Sequence, residues 1–278
     1  MALNPAEVPT STLTERLGKL GLWVSGAAPG AAGGPAAFAR RVEAMGIGAV
    51  WVGGGNPDEQ ALRERRDMLA ATERLVVATG ILNIWAWDPA ALASRLADFA
   101  RNYPGRFVLG LGVSHRPQVE QLGRDYAHPL AAMRRFLDDL DRQSGADSAA
   151  PRVLAALGPN MLELARDRTA GAHPYLAPPA HSAFARQVLG AGPLLAPEQA
   201  VVMQRDPDEG RRIARQYLAT YLKLPNYLSN LRRFGFDDRD FEAGGSDRLV
   251  DTEPYLILCN RSRFCSDHIE GLPAGFWC

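Results

Sequence analysis

Gly80-Ile81 breaks an apolar run, Leu75 to Leu82, and an amide follows at Asn83. Glycine at such a break lets a flat ring lie against bare backbone. Other apolar runs end in Trp23, in Gly53 to Gly55, in Val113-Ser114-His115 with Gln118 beyond, in Leu157-Gly158-Pro159-Asn160-Met161, and in Tyr175. His115 is the candidate catalytic residue, because an imidazole titrates near neutral pH and can donate a proton. A solvent-facing loop histidine is the competing reading. Gly158-Pro159-Asn160 opens a helical stretch whose first amides and dipole suit a phosphate. Trp23, Tyr175 and His181 are read as substrate-pocket walls, although His181 can equally be a helix-start residue and His173 a structural one. For any single glycine, an ordinary strand-to-helix turn is the alternative.

The elements that must position these residues repeat. Strand-like runs at Leu20–Val24, Ala49–Val52, Leu75–Leu82, Arg106–Gly112, Arg152–Leu157, Ala172–Leu176 and near Gln199–Met203 alternate with amphipathic helical stretches. Helix starts are expected at Asn56-Pro57-Asp58-Glu59, Asp88-Pro89 and Asp206-Pro207-Asp208-Glu209, where a capping side chain precedes proline. Strands separated by helices pair in parallel through right-handed crossovers. An open doubly wound sheet would want a glycine fingerprint after the first strand, and Ser25 to Gly30 lacks its spacing. The expected fold is therefore α/β, a TIM (β/α)8-type barrel with ligands at the carboxyl ends of its strands. Trp51 is expected inside the barrel. Trp85 is assigned equally to packing and to a pocket wall.

A chain of 278 residues suits one large domain, and its 31 basic and 31 acidic side chains balance. Neither nucleic acid nor a membrane is expected as a partner. Arg63, Arg65 and Arg66, interleaved with Glu64 and Asp67, are read as a solvated helix face. No apolar run reaches the ~20 residues of a membrane span, and Met1 to Thr14 lacks a leader pattern, so a cytoplasmic enzyme is expected. Cys259, Cys265 and Cys278 are odd in number and confined to the end of the chain. With His268 their spacing fits no common zinc knuckle, and no metal is expected.

Taken in order, Leu20-Gly-Leu-Trp, Gly48-Ala-Val-Trp-Val, Arg74-Leu-Val-Val-Ala-Thr-Gly-Ile, Arg106-Phe-Val-Leu-Gly-Leu-Gly, Gly158-Pro-Asn-Met and His173-Pro-Tyr-Leu resemble the bacterial luciferase-like superfamily. Within it the likeness is to oxidoreductases that use the deazaflavin coenzyme F420. The resemblance implies a third-strand bulge with a non-prolyl cis peptide at Gly80-Ile81, supporting the back of the ring. It also implies cofactor contacts at Asn83, at Val113, Ser114 and Gln118, and at Leu157, Gly158, Asn160 and Met161. It suggests a homodimer and a small-molecule substrate. The sugar-phosphate dehydrogenases of that family carry a histidine where Gly55 stands and an acid where His115 stands, and no basic counterparts appear near Ala177 to Ser182. Glucose-6-phosphate is thus disfavoured. The implied activity is hydride transfer between F420 and a small organic substrate. A flavin-mononucleotide (FMN) monooxygenase and a degenerate, non-catalytic barrel are the alternatives.

The organisation expected is an N-terminal polar arm over residues 1–17, the barrel over 18–250, and a divergent tail over 251–278. Pro254 should end a helix, and Tyr255 to Cys259 has the composition of a buried strand. No amphipathic helix follows it, so the eighth strand and helix are doubtful. A frameshifted or truncated end is the hypothesis that the change in composition suggests.

Overall fold

The computed structural model describes residues 10–26, 28–54, 59–144, 150–202 and 204–252. The chain opens with α1 (Thr10–Leu17) and β1 (Gly21–Val24), followed by α2 (Ala28–Ala31), α3 (Pro35–Ala44), β2 (Ala49–Val52) and α4 (Glu59–Ala70). Next come β3 (Val76–Thr79), β4 (Leu82–Asn83), α5 (Pro89–Asn102), β5 (Phe107–Gly112), α6 (Arg116–Gln121) and α7 (Pro129–Gln143). The second half holds β6 (Arg152–Leu154), α8 (Pro159–Arg168), β7 (Gly171–Ala172), α9 (Pro179–Leu189) and β8 (Leu194–Leu195). Four helices finish it: α10 (Pro207–Tyr221), α11 (Pro225–Arg233), α12 (Asp238–Phe241) and α13 (Asp247–Thr252).

Every ladder is parallel, in the order β1-β2-β3-β5-β6-β7-β8, with β4 continuing the third strand's path beside β5. The result is a curled sheet of the TIM-barrel type. Among the described residues no ladder joins β8 to β1, and the suggested strand Tyr255 to Cys259 lies outside them. So do the three cysteines, His268, Gly55 and the first residues of the Asn56-Pro57 helix start.

Alternation sorts the strand residues between two cores. Trp51, Ala49, Val76, Ala78, Val108 and Val153 point inward together, whereas Val50, Val52, Val77 and Leu109 meet the helices outside. Residues 10–17 are a correction to the expected polar arm. They form α1, and its Leu13 and Leu17 are buried in the inner core. A Cβ on Gly48 would stand 2.5 Å from the Leu17 carbonyl oxygen, so the end of α1 sits hard against the start of β2.

Two other expectations shift. The seventh strand is Leu194–Leu195, not Gln199 to Met203. Ala200 and Val202 are buried without a ladder, packed among Leu218, Tyr227 and Leu231 of the final helices. The sixth strand is only Gly171–Ala172, because Pro174 has no N–H to continue a ladder.

Arg65 is the clearest reversal. It is 1% exposed rather than solvated, and it donates to the carbonyls of Ala61, Val52 and Gly53. It shares the inner stripe of α4 with Leu62, Met68 and Leu69.

Capping matches expectation. Asp88 accepts from the Ala91 N–H, and Asp206 from those of Asp208 and Glu209.

Candidate active site

A cavity of about 330 Å³ opens at the carboxyl ends of the strands. Its floor begins at the third strand, where the Gly80–Ile81 peptide is cis and separates β3 from β4. Glycines at this rim receive side chains of the chain itself. A Cβ on Gly80 would lie 2.5 Å from Trp23 Nε1, and one on Gly53 2.7 Å from Trp23 Cζ2. The indole therefore lies flush on both strand ends, and its Nε1 donates to the Gly80 carbonyl at 3.2 Å. Likewise, a Cβ on Gly112 would meet Ile81 Cδ1 at 2.4 Å, and one on Gly110 the Thr79 carbonyl at 2.1 Å. The glycines of β5 are thus the notch for the third-strand break. What faces the cavity is a smooth surface of Trp23, Gly80, Ile81, Gly112, Ala155 and Ala156.

Polar groups border this surface. Asn83 is buried, and its Oδ1 accepts from the Trp85 N–H. Trp85 in turn donates from Nε1 to the Val113 carbonyl at 2.9 Å, which holds the β5 loop. Ser114 takes a left-handed backbone, φ 56°, turning the chain toward His115. His115 precedes α6, lines the cavity, and its Nδ1 lies 3.0 Å from Asn226 Oδ1 of α11. An amide oxygen only accepts, so Nδ1 carries the proton and Nε2 is left with a lone pair. Burial lowers the His115 pKa, with the Asn226 hydrogen bond pulling it back up. The neutral imidazole that results is a proton acceptor at Nε2.

His173 lies under the cavity, 3% exposed and stacked on Trp51. Its Nδ1 is 2.7 Å from the Ala196 carbonyl, and burial takes its pKa down to about 4. It too is neutral.

Opposite the floor stand Tyr175, Tyr221, Asn226 and Tyr227. The Tyr175 hydroxyl hydrogen-bonds both Tyr217 and, at 3.0 Å, Tyr221.

Of the residues expected from sequence, the cavity gathers Gly80, Ile81, Asn83, Val113, Ser114, His115, Gln118, Leu157, Trp23 and Tyr175. Gly158, Asn160 and Met161 stand just outside it at the start of α8. His181 is a correction: it is wholly buried in α9 behind the wall, with Nε2 3.0 Å from the Leu157 carbonyl. Trp51 packs in the inner core as expected.

Gly54, one of the strand-end glycines read from sequence, also lines the cavity; the residues that sequence reasoning missed are Gly112, Ala155 and Ala156 at strand ends, and Tyr221, Asn226 and Tyr227 from the last helices. The strand-end group was within reach, since it extends runs already read as strands. The helical group carries no local signal.

Comparisons with known proteins agree with this geometry. Residues 22–144 match the family model of luciferase-like monooxygenases. A 5,10-methylenetetrahydromethanopterin reductase from Methanolobus tindarius is 26% identical over 154 residues, which are 48% of this chain. The chain spans about half of that relative, 47% of its length. The solved coenzyme F420 dependent tetrahydromethanopterin reductase from Methanopyrus kandleri superposes with a TM-score of 0.65 at 15% identity, covering 84% of both chains. An F420-dependent secondary alcohol dehydrogenase in complex with an F420-acetone adduct gives a TM-score of 0.63 at 16% identity, over 85% of this chain and 84% of that one. The curated relative is by name a reductase, and the likeness to the luciferase-like family model runs over residues 22–144.

Proposed function

We propose that this protein is an oxidoreductase that moves a hydride between the deazaflavin coenzyme F420 and a small organic substrate. The observation that carries the reading is the smooth wall of Trp23, Ile81, Gly112, Ala155 and Ala156, edged by Asn83 and Ser114 on one side and faced by tyrosines on the other. A planar heterocycle fits such a slot: apolar area covers its face, and a few polar groups fix its orientation. Both solved neighbours described above are F420-dependent by name, which supports the deazaflavin over FMN.

When bound, the deazaflavin would supply a hydride donor or acceptor at its ring C5. The chain's residues do the rest. Trp23 and Ile81 would back the ring, Asn83 and the Val113–Ser114 loop with Gln118 would hold its edge, and Leu157 would lead its side arm toward Gly158, Asn160 and Met161. His115 Nε2 accepts the substrate's proton in the oxidising direction. The tyrosine wall and α11 keep water from the face above.

Titrating the purified protein with F420 and with FMN, each followed by ring fluorescence, tests the assignment. Binding of F420 is expected. Tight binding of FMN alone would transfer the assignment to a flavin monooxygenase. Failure of both rings to bind a protein that still melts cooperatively would leave a non-catalytic barrel. The same reading takes a small molecule as partner and a homodimer as the assembly, the latter read directly by light scattering.

A further inference from the structure

His181 is buried in α9 and is not among the residues that line the cavity, yet it holds one that is. Its Nε2 lies 3.0 Å from the carbonyl oxygen of Leu157, 24 positions back along the chain. A carbonyl oxygen only accepts, so Nε2 carries the proton. Nδ1 then holds a lone pair, and it has no hydrogen-bond partner among the described residues. Burial lowers the His181 pKa, the Leu157 hydrogen bond opposes this, and the Arg233 charge adds to the lowering. The ring is neutral, and its single N–H points at Leu157.

The direction of that N–H is fixed by aromatic neighbours. His181 packs edge-on against Phe184 and Phe234, with ring centroids 6.0 and 5.7 Å away, and those two rings meet edge-on at 6.0 Å. Phe234 follows α11, the helix that brings Asn226 and Tyr227 to the cavity. A phenylalanine at position 181 would fill the same cluster without burying an unpaired nitrogen, which is unfavourable. What the imidazole adds is the donor to Leu157.

That donor acts where the sheet no longer does. β6 ends at Leu154, its ladder with β7 stops at the Leu154–Ala172 pair, and the Leu157–Gly158 peptide lies past both. Leu157 lines the cavity; Gly158 is the N-cap of α8, with open space where a Cβ would stand. In a trans, planar peptide the N–H points opposite to the C=O. By taking the Leu157 carbonyl, His181 therefore turns the Gly158 N–H away from α9. That N–H has no acceptor among the described residues.

We propose that His181 is a positioning residue for the coenzyme's side arm: its Nε2–H sets the Leu157–Gly158 peptide so that the Gly158 N–H is offered to the arm. The proposal rests on the F420 reading, in which the arm passes Leu157 toward Gly158. Glycine has no side chain to hold its own peptide in one orientation, so the constraint comes from α9 instead.

Fluorescence titrations of the full chain with two probes test this role: F420, and the same deazaflavin chromophore cut off after its ribityl chain. H181F keeps the aromatic cluster and has no donor. H181Q gives up the ring and places an amide N–H near the position of Nε2. F420 should bind H181F roughly tenfold more weakly than wild type, the scale of one hydrogen bond, and H181Q should recover most of that loss. The truncated chromophore should bind all three proteins equally, which a general loosening of the fold would not produce. Equal F420 affinity in wild type and H181F would overturn the proposal, as would equal weakening of both probes. Should H181F not fold, the wild type decides alone: the His181 Nε2–H proton resonance should shift on adding F420 and stay in place with the truncated chromophore. No F420-specific shift would overturn the role. A wild type that binds neither probe would instead remove the cofactor reading, and the role of His181 with it.

Discussion

Trp51 and His173 stack with ring centroids 4.3 Å apart and planes inclined by 18°, one from β2 and one from just beyond β7. The pair spans the inside of the barrel beneath the cavity. A stacked, buried imidazole must stay neutral, and burial takes its pKa from the usual 6.5 down to about 4. Between those values the unfolded chain binds more protons than the folded one, so stability rises with pH across that window. Chemical denaturation at a series of pH values should show up to about 3 kcal/mol lost as pH falls from about 6.5 to about 4. H173Q should flatten that part of the profile.

G112A should disturb the third-strand break rather than β5 itself. The new methyl would overlap Ile81 Cδ1 at 2.4 Å, in a fully buried strand. Overpacking of this kind costs about 1–3 kcal/mol. Thermal melts should show the loss. Ring fluorescence should show weaker cofactor binding, because Ile81 has been pushed into the space it bounds.

Arg65 and Arg63 lie on one helix, two residues apart, with opposite surroundings. Arg65 is buried against the Val52 and Gly53 carbonyls, whereas Arg63 is exposed. R65M should cost about 1–3 kcal/mol through carbonyls left without their donor. R63A should stay within about 0.5 kcal/mol of wild type. Paired denaturation curves decide it; equal effects would refute the buried role.

His115 is held by Asn226 from 111 positions away. H115N should leave ring binding intact and slow turnover on the order of a hundredfold, the usual scale for losing a proton-transfer group. N226A should slow turnover less, since the imidazole remains but is no longer oriented. A rate independent of both substitutions would remove His115 from the chemistry.

How much of this was legible follows from range. Ala49–Val52 reads correctly as a strand because its residues are apolar throughout and Gly53 ends it. The break at Gly80-Ile81 reads correctly because it interrupts a continuous run. Both are local patterns. Arg65 was misread because charge outweighed its place on the Leu62, Met68 and Leu69 stripe, a spacing that was present in the sequence. Leu194–Leu195 was passed over for a longer apolar run whose burial comes from helices rather than a ladder. Tyr221, Asn226 and Tyr227 could not be found at all, since α10 and α11 show only ordinary amphipathic patterning and their return over the strand ends is a tertiary fact.

That return divides the pocket between two parts of the chain. The luciferase-like match ends at residue 144, well before α10 and α11 add Tyr221, Asn226 and Tyr227 to the cavity. The ceiling belongs to its own buried cluster, centred on Leu218, Tyr227 and Leu231 and separate from the cluster that fixes the outer faces of the early strands. Substitutions overhead can therefore retune which molecule is admitted while the seat below keeps its shape, so selectivity can drift in this chain without rebuilding its foundation.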